Sequence, residues 1–168
     1  MRTLYIHGLD SFPDPDKKEL MKKAGLEVTA LHINYREKLG FYETLKETAI
    51  RKKIELIIGS SLGGFLGNTL AEDLGLPAIL FNPAMHYTTE VFYAKIPVIE
   101  NPSCPRRFVI LGMNDETINP NYTLKVFREK GCNPEKNRLV ICHWLGHEID
   151  LQTFDEMIRW ALFSLKNY

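Results

Sequence analysis

The chain has 168 residues, 45% apolar and 25% charged, with Lys plus Arg and Asp plus Glu both at 21. These are the proportions of one soluble globular domain with a sizeable core. A formal net charge of zero excludes a global basic field for nucleic acid or an anionic membrane, and no apolar run reaches membrane-spanning length.

Strand-like and helix-like segments alternate along the chain. Residues 4–6 read as a short strand ended by His7-Gly8, entered without a signal-peptide apolar region. Residues 15–24 read as a helix with Asp14 as cap and Gly25 just past the end, and 28–33 as a second strand. Residues 42–53 have helical spacing, with Leu45, Ala49 and Thr48 inward, and 54–58 form a third strand, apolar at nearly every position as a doubly covered strand requires. A helix over 64–74 places Leu66, Leu70 and Leu74 on one stripe, closed by Gly75. A fourth strand over 77–81 is followed by Asn82-Pro83-Ala84. Residues 85–105 show no period and hold Pro97, Pro102 and Pro105. A fifth strand over 107–111, a helix over 121–130 stopped by Gly131, a sixth strand over 138–142 and an amphipathic helix over 150–165 complete the order. Such alternation predicts an α/β fold, a doubly wound, mainly parallel six-stranded sheet flanked by helices, with residues 1–168 as one domain.

Three cysteines, Cys104, Cys132 and Cys142, cannot all pair within one chain and show no Cys-x-x-Cys spacing. They read as reduced thiols of a cytoplasmic protein, with no disulfide framework and no zinc site. The basic runs Lys17-Lys18, Lys22-Lys23 and Arg51-Lys52-Lys53 read as solvated helix faces.

The chemistry is concentrated after the third strand, in Gly59-Ser60-Ser61-Leu62-Gly63. Gly-x-Ser-x-Gly between a β-rich run and a helix is the pattern of a nucleophile elbow, whose tightness demands small residues two before and two after the serine. Gly59 and Gly63 meet that demand for Ser61, whereas Ile58 fails it for Ser60. A serine hydroxyl needs a base, and the base needs a carboxylate to orient it. In doubly wound sheets these groups sit on loops just after strands. The loop after the fifth strand offers two carboxylates, Asp115 and Glu116, and the loop after the sixth offers two histidines, His143 and His147. His143 falls at the end of the strand, where its ring is expected to pack against neighbours, so His147, beyond Gly146, is the expected base. Ser61, Asp115, His147 is the chain order of such triads. An oxyanion would be held by the N–H of Leu62 at a helix start and by that of Leu9, with Gly8 expected to provide the sharp turn that aims it. His7 reads as a buried, loop-bracing imidazole rather than a catalytic one.

These motifs resemble the α/β-hydrolase superfamily, and within it the small YqiA-like esterases. The matching strings are residues 4–11, Gly59-Ser60-Ser61-Leu62-Gly63-Gly64-Phe65, Phe81-Asn82-Pro83-Ala84, residues 112–116 and Gly146-His147-Glu148. The resemblance implies a sheet with the second strand beside the first and the third to sixth outward on the other side. It implies a minimal fold without a full cap domain, 85–105 being a short lid-like segment. It favours Asp115 over Glu116 through a Gly-x-x-Asp pattern. It further implies hydrolysis of small-molecule carboxylic esters or acyl thioesters through an acyl-enzyme on Ser61, with no metal and no organic cofactor. The charge balance and the lack of a long apolar run are what speak against nucleic acid or membrane as partner. Met85, His86, Tyr87, Phe92 and Tyr93 stand where they either line the pocket or pack. Two other readings are a non-catalytic binding protein on the same fold and an anion cradle at Gly63-Gly64. The first has a lost triad member as its usual signature, and none is lost here; the second leaves Asp115 and His147 unexplained.

Overall fold

A computed structural model describes residues 1–167 except 38, 88–89, 92–93 and 130–135. The elements are β1 (Arg2–Ile6), α1 (Pro15–Lys23), β2 (Glu27–Ala30), α2 (Phe41–Arg51), β3 (Leu56–Ser60), α3 (Leu62–Leu74), β4 (Ala78–Phe81), β5 (Glu90–Val91), β6 (Ala94–Lys95), β7 (Arg107–Gly112), α4 (Pro120–Glu129), β8 (Asn137–Cys142) and α5 (Leu151–Asn167). Six strands form one sheet in the order β2-β1-β3-β4-β7-β8, and every neighbouring pair is parallel. This is the expected order.

Alternation along the strands divides the core. Leu4, Ile57, Leu80 and Val109 join one apolar cluster with Leu45 of α2, Leu66 of α3 and Phe127 of α4. Tyr5, Ile58, Ile79 and Ile110 join the other with Met21 of α1 and Phe154 and Ile158 of α5. The period of two thus sends successive residues to opposite helical layers. Tyr5, in the second layer, is held neutral by burial, which pushes its hydroxyl up to about 12.

Local signals set the helix ends. The Asp14 carboxylate accepts from the N–H groups of Asp16 (2.8 Å) and Lys17 (3.3 Å), with Pro15 at the first helical position. Past α1 and α3, Gly25 (φ 84°) and Gly75 (φ 69°) take the left-handed conformation that stops a helix.

Two expectations change. The second strand ends at Ala30 rather than at residue 33, because the Ile33 N–H leaves the ladder to donate to Nε2 of buried His7 at 3.0 Å. The aperiodic segment 85–105 contains two short strands that pair antiparallel, β5 with β6, each too short to carry a readable period. Cys104 and Cys142 are free thiols. Phe92, Tyr93, Lys130, Gly131 and Cys132 lie outside the described residues or their described side chains. Among the described residues no helix is long and apolar enough to cross a membrane.

Candidate active site

The site lies where β1, β3, β4, β7 and β8 end, and the elbow is its centre. Ser61 has φ 55° and ψ −122°. That positive φ is rare for a residue with a Cβ and costs of order 1–3 kcal/mol, so it persists only where its surroundings hold it. They do so from both sides. The Ser61 N–H donates to the Phe81 carbonyl at 2.9 Å, and the Ser61 carbonyl accepts from Gly64, Phe65 and Ala84 at 2.9–3.1 Å. The turn closes only because its glycines have no side chains. A Cβ at Gly59 would strike the Gly63 carbonyl, and one at Gly63 would strike the carbonyls of Ile6 and His7.

After β1, the backbone passes close beside the serine. A Cβ at Gly8 would lie 3.3 Å from Ser61 Cβ and 3.9 Å from its Oγ. In this loop the positive φ falls at Asp10 (φ 51°) and not at Gly8. Its carboxylate is tied to Arg36 by two hydrogen bonds of 2.7 and 2.8 Å. His7 is buried beneath this loop. Its Nδ1–H donates to the Gly8 carbonyl at 2.7 Å, Nε2 accepts from Ile33, and its carbonyl accepts from the Tyr35 hydroxyl at 2.8 Å. With both ring nitrogens engaged in this way, His7 is a neutral brace. Burial pushes its pKa below the usual histidine value.

Asp115 is buried at 7% exposure. Its Oδ1 accepts from the N–H groups of Thr117 and Ile118, both at 2.8 Å, while Oδ2 meets His147 Nδ1 at 2.8 Å. A carboxylate only accepts, so Nδ1 carries a proton, and in the neutral ring the lone pair is then on Nε2. Glu116 is exposed. His143 is exposed as well, contrary to the expected packing, because β8 ends at Cys142 and the chain turns outward at once.

Two clefts meet at Ser61 and His147, which line both. The larger, about 490 Å³, has a polar rim that includes Ser11, Asp14, Lys17, Glu148 and Asp150. The smaller, about 340 Å³, is walled largely by Leu9, Leu62, Ala84, Tyr87 and Ile118, with Asp10, His86 and Thr117 beside them. Met85 is instead packed in the core. Among the described residues no hydrogen bond joins Ser61 Oγ to His147, and the N–H groups of Leu9 and Leu62 have no partner within the fold. Lys17, expected on a solvated face, lies over the Phe154 ring at 5.5 Å and lines the larger cleft. Burial is the main influence on its ammonium and lowers its pKa, against the opposing pull of Asp14, Glu148 and Asp150. Among the described residues no three His, Cys, Asp or Glu side chains gather in a metal-binding group.

Sequence reasoning gave Asn82 no task. Its side chain reaches the Gly112 N–H and the carbonyls of Gly146 and His147. The motif was visible, but its partners lie in loops distant in sequence.

A family model described as an uncharacterised protein family, UPF0227, matches residues 2–130. Among curated proteins, none matches the chain. The fold is similar to that of a monoacylglycerol lipase from Paleococcus ferrophilus (TM-score 0.77, 13% identity, 97% of this chain and 94% of that one). It is also similar to a Xanthomonas campestris pv. campestris protein of the alpha/beta hydrolase superfamily (0.74, 16%, 97% and 98%). A third similar structure is an esterase from Pyrococcus furiosus (0.69, 18%, 99% and 82%). At these identities the likeness is one of fold.

Proposed function

The chain belongs to UPF0227, the YqiA-like family, and has the α/β-hydrolase fold, and from that premise we propose that it is a serine hydrolase of small carboxylic esters or acyl thioesters. The observation that carries the reading is the 2.8 Å contact of buried Asp115 Oδ2 with Nδ1 of His147, a residue that lines the same two clefts as a serine held at positive φ. The names of the lipase and esterase among the similar structures agree with it.

In this reading Ser61 Oγ attacks the substrate carbonyl carbon and His147 Nε2 takes the serine proton. Asp115 orients the ring and stabilises the imidazolium. The carbonyl oxygen gains the negative charge and is met by the N–H groups of Leu62 and Leu9. The C–O or C–S bond then breaks, and His147 returns the proton to the departing alcohol or thiol. Water, deprotonated by the same nitrogen, attacks the acyl-serine; the acid leaves and Ser61 regains its proton. The apolar cleft suits the acyl chain and the polar cleft the leaving group.

A fluorophosphonate reporter and a panel of esters and thioesters of graded chain length test the reading. Wild type is expected to label at one serine and to turn over part of the panel. Ser61→Ala is expected to lose both while folding normally, and Ser60→Ala to retain both. An active Ser61→Ala beside an inactive Ser60→Ala would refute the assignment.

A further inference from the structure

Residues 81–84 take no part in the proton transfers above, yet they touch every loop those transfers use. The Phe81 carbonyl and the Ala84 N–H hold the two backbone groups of Ser61, at 2.9 and 3.0 Å. Between them, Asn82 turns its side chain to the other loops. Its Oδ1 accepts from the Gly112 N–H at 2.7 Å, at the start of the loop that carries Asp115. Its Nδ2 donates to the carbonyls of Gly146 (2.8 Å) and His147 (3.2 Å). Asn82 is 2% exposed and has φ 41°.

The chemistry of the position is narrow. One planar carboxamide supplies an acceptor and two donors, and all three are used. Aspartate would turn the donor end into an acceptor against two carbonyls. Glutamine would move the amide out by one methylene. Asparagine also tolerates positive φ better than most residues. Apart from the Asp115–His147 side-chain contact, the backbones of the acid and histidine loops are tied by the N–H groups of Met113 and Asn114, which donate to the Cys142 and Leu145 carbonyls, each at 3.0 Å. Those ties stop short of the ring-bearing residue. The Asn82 amide extends them to His147 itself and joins them to the strand end that holds Ser61.

We propose that Asn82 is a positioning residue whose carboxamide clamps the acid and histidine loops to the nucleophile loop and so sets the approach of His147 to Ser61. This inference rests on the serine-hydrolase reading above. A displacement of the ring by about an ångström is enough to cost on the order of a hundredfold in turnover.

Two variants test it. Asn82→Gly keeps a backbone that accepts positive φ and deletes the clamp. Asn82→Asp keeps the shape and removes the donors. Both are assayed well below their melting temperatures beside Leu45→Ala, a core variant of α2 that lowers stability away from the clefts. In both Asn82 variants kcat is expected to fall about tenfold to a hundredfold with KM within about threefold, while Leu45→Ala keeps wild-type kcat. The imidazole N–H proton resonance that His147→Ala removes is also expected to shift or broaden in both. A folded Asn82→Gly or Asn82→Asp with wild-type kcat, a rise in KM alone, or an unmoved resonance overturns the clamp. A wild type that neither labels nor hydrolyses any ester overturns the hydrolase reading instead, and the resonance then still decides whether Asn82 positions His147.

Discussion

At the residue scale, Asp115 and Glu116 are neighbours of the same charge, and their surroundings separate them. The Asp115 carboxylate is buried and divided between two backbone N–H groups on one oxygen and the imidazole on the other. Glu116 stands in solvent. Asp115→Asn is expected to lower turnover at saturating substrate about a hundredfold to ten-thousandfold, because the charge opposing the imidazolium is lost and the wrong tautomer is favoured. Glu116→Gln is expected to cost less than about tenfold, through the field alone. His147→Ala should lose about three orders of magnitude or more. His143→Ala should alter neither turnover nor stability appreciably, since the exposed ring gives up little on removal. Steady-state kinetics on the four variants decides the set, and a crippled Glu116→Gln beside a near-normal Asp115→Asn would reverse the assignment. The placement of Ser61, Asp115 and His147 just past strand ends was legible because a strand, a turn and a residue type coincide in one short string. Asn82 was not, because its role exists only once residues 30, 64 and 65 positions away are folded against it.

At the element scale, the six sheet strands were legible from their apolar runs and the helices from their stripes and caps. What was lost were contacts that override local pattern. The end of β2 is set by a hydrogen bond to His7, and β5 and β6 are two residues each. The same His7 gives the loop after β1 a pH dependence. Its folded pKa is lowered, mainly by burial, so the unfolded chain binds the proton more readily. Its contribution to stability is complete above the unfolded histidine pKa of about 6.5 and declines as pH falls below it towards the folded value. Denaturant unfolding between about pH 7.5 and pH 5 is expected to show that decline, and to show less of it in His7→Asn. An equal slope in both proteins would remove His7 as its source.

At the scale of the whole molecule, parallel strands bring together side chains that the chain order keeps far apart. The elbow follows β3, in the interior of the sheet, whereas His147 follows β8, which among the described residues pairs with β7 alone. The two strands differ in cover. Every residue of β7 is buried, while β8 has only Cys142 fully so.

That edge position separates losing function from losing structure. An outermost strand opens at lower free energy than the strands inside it, because one side of its ladder and much of its surface already meet water. Opening of β8 would carry off His147, the proposed base, while Ser61 stayed in place. Inactivation on heating is therefore expected to run ahead of the loss of ellipticity, with amide exchange over 137–142 faster than over Leu56–Ser60. Coincident midpoints and equal protection would show the sheet yielding as a single unit. If the edge yields first, the protein has a reversible off-state that needs no ligand, and its working temperature range is set by six residues at the margin of the sheet.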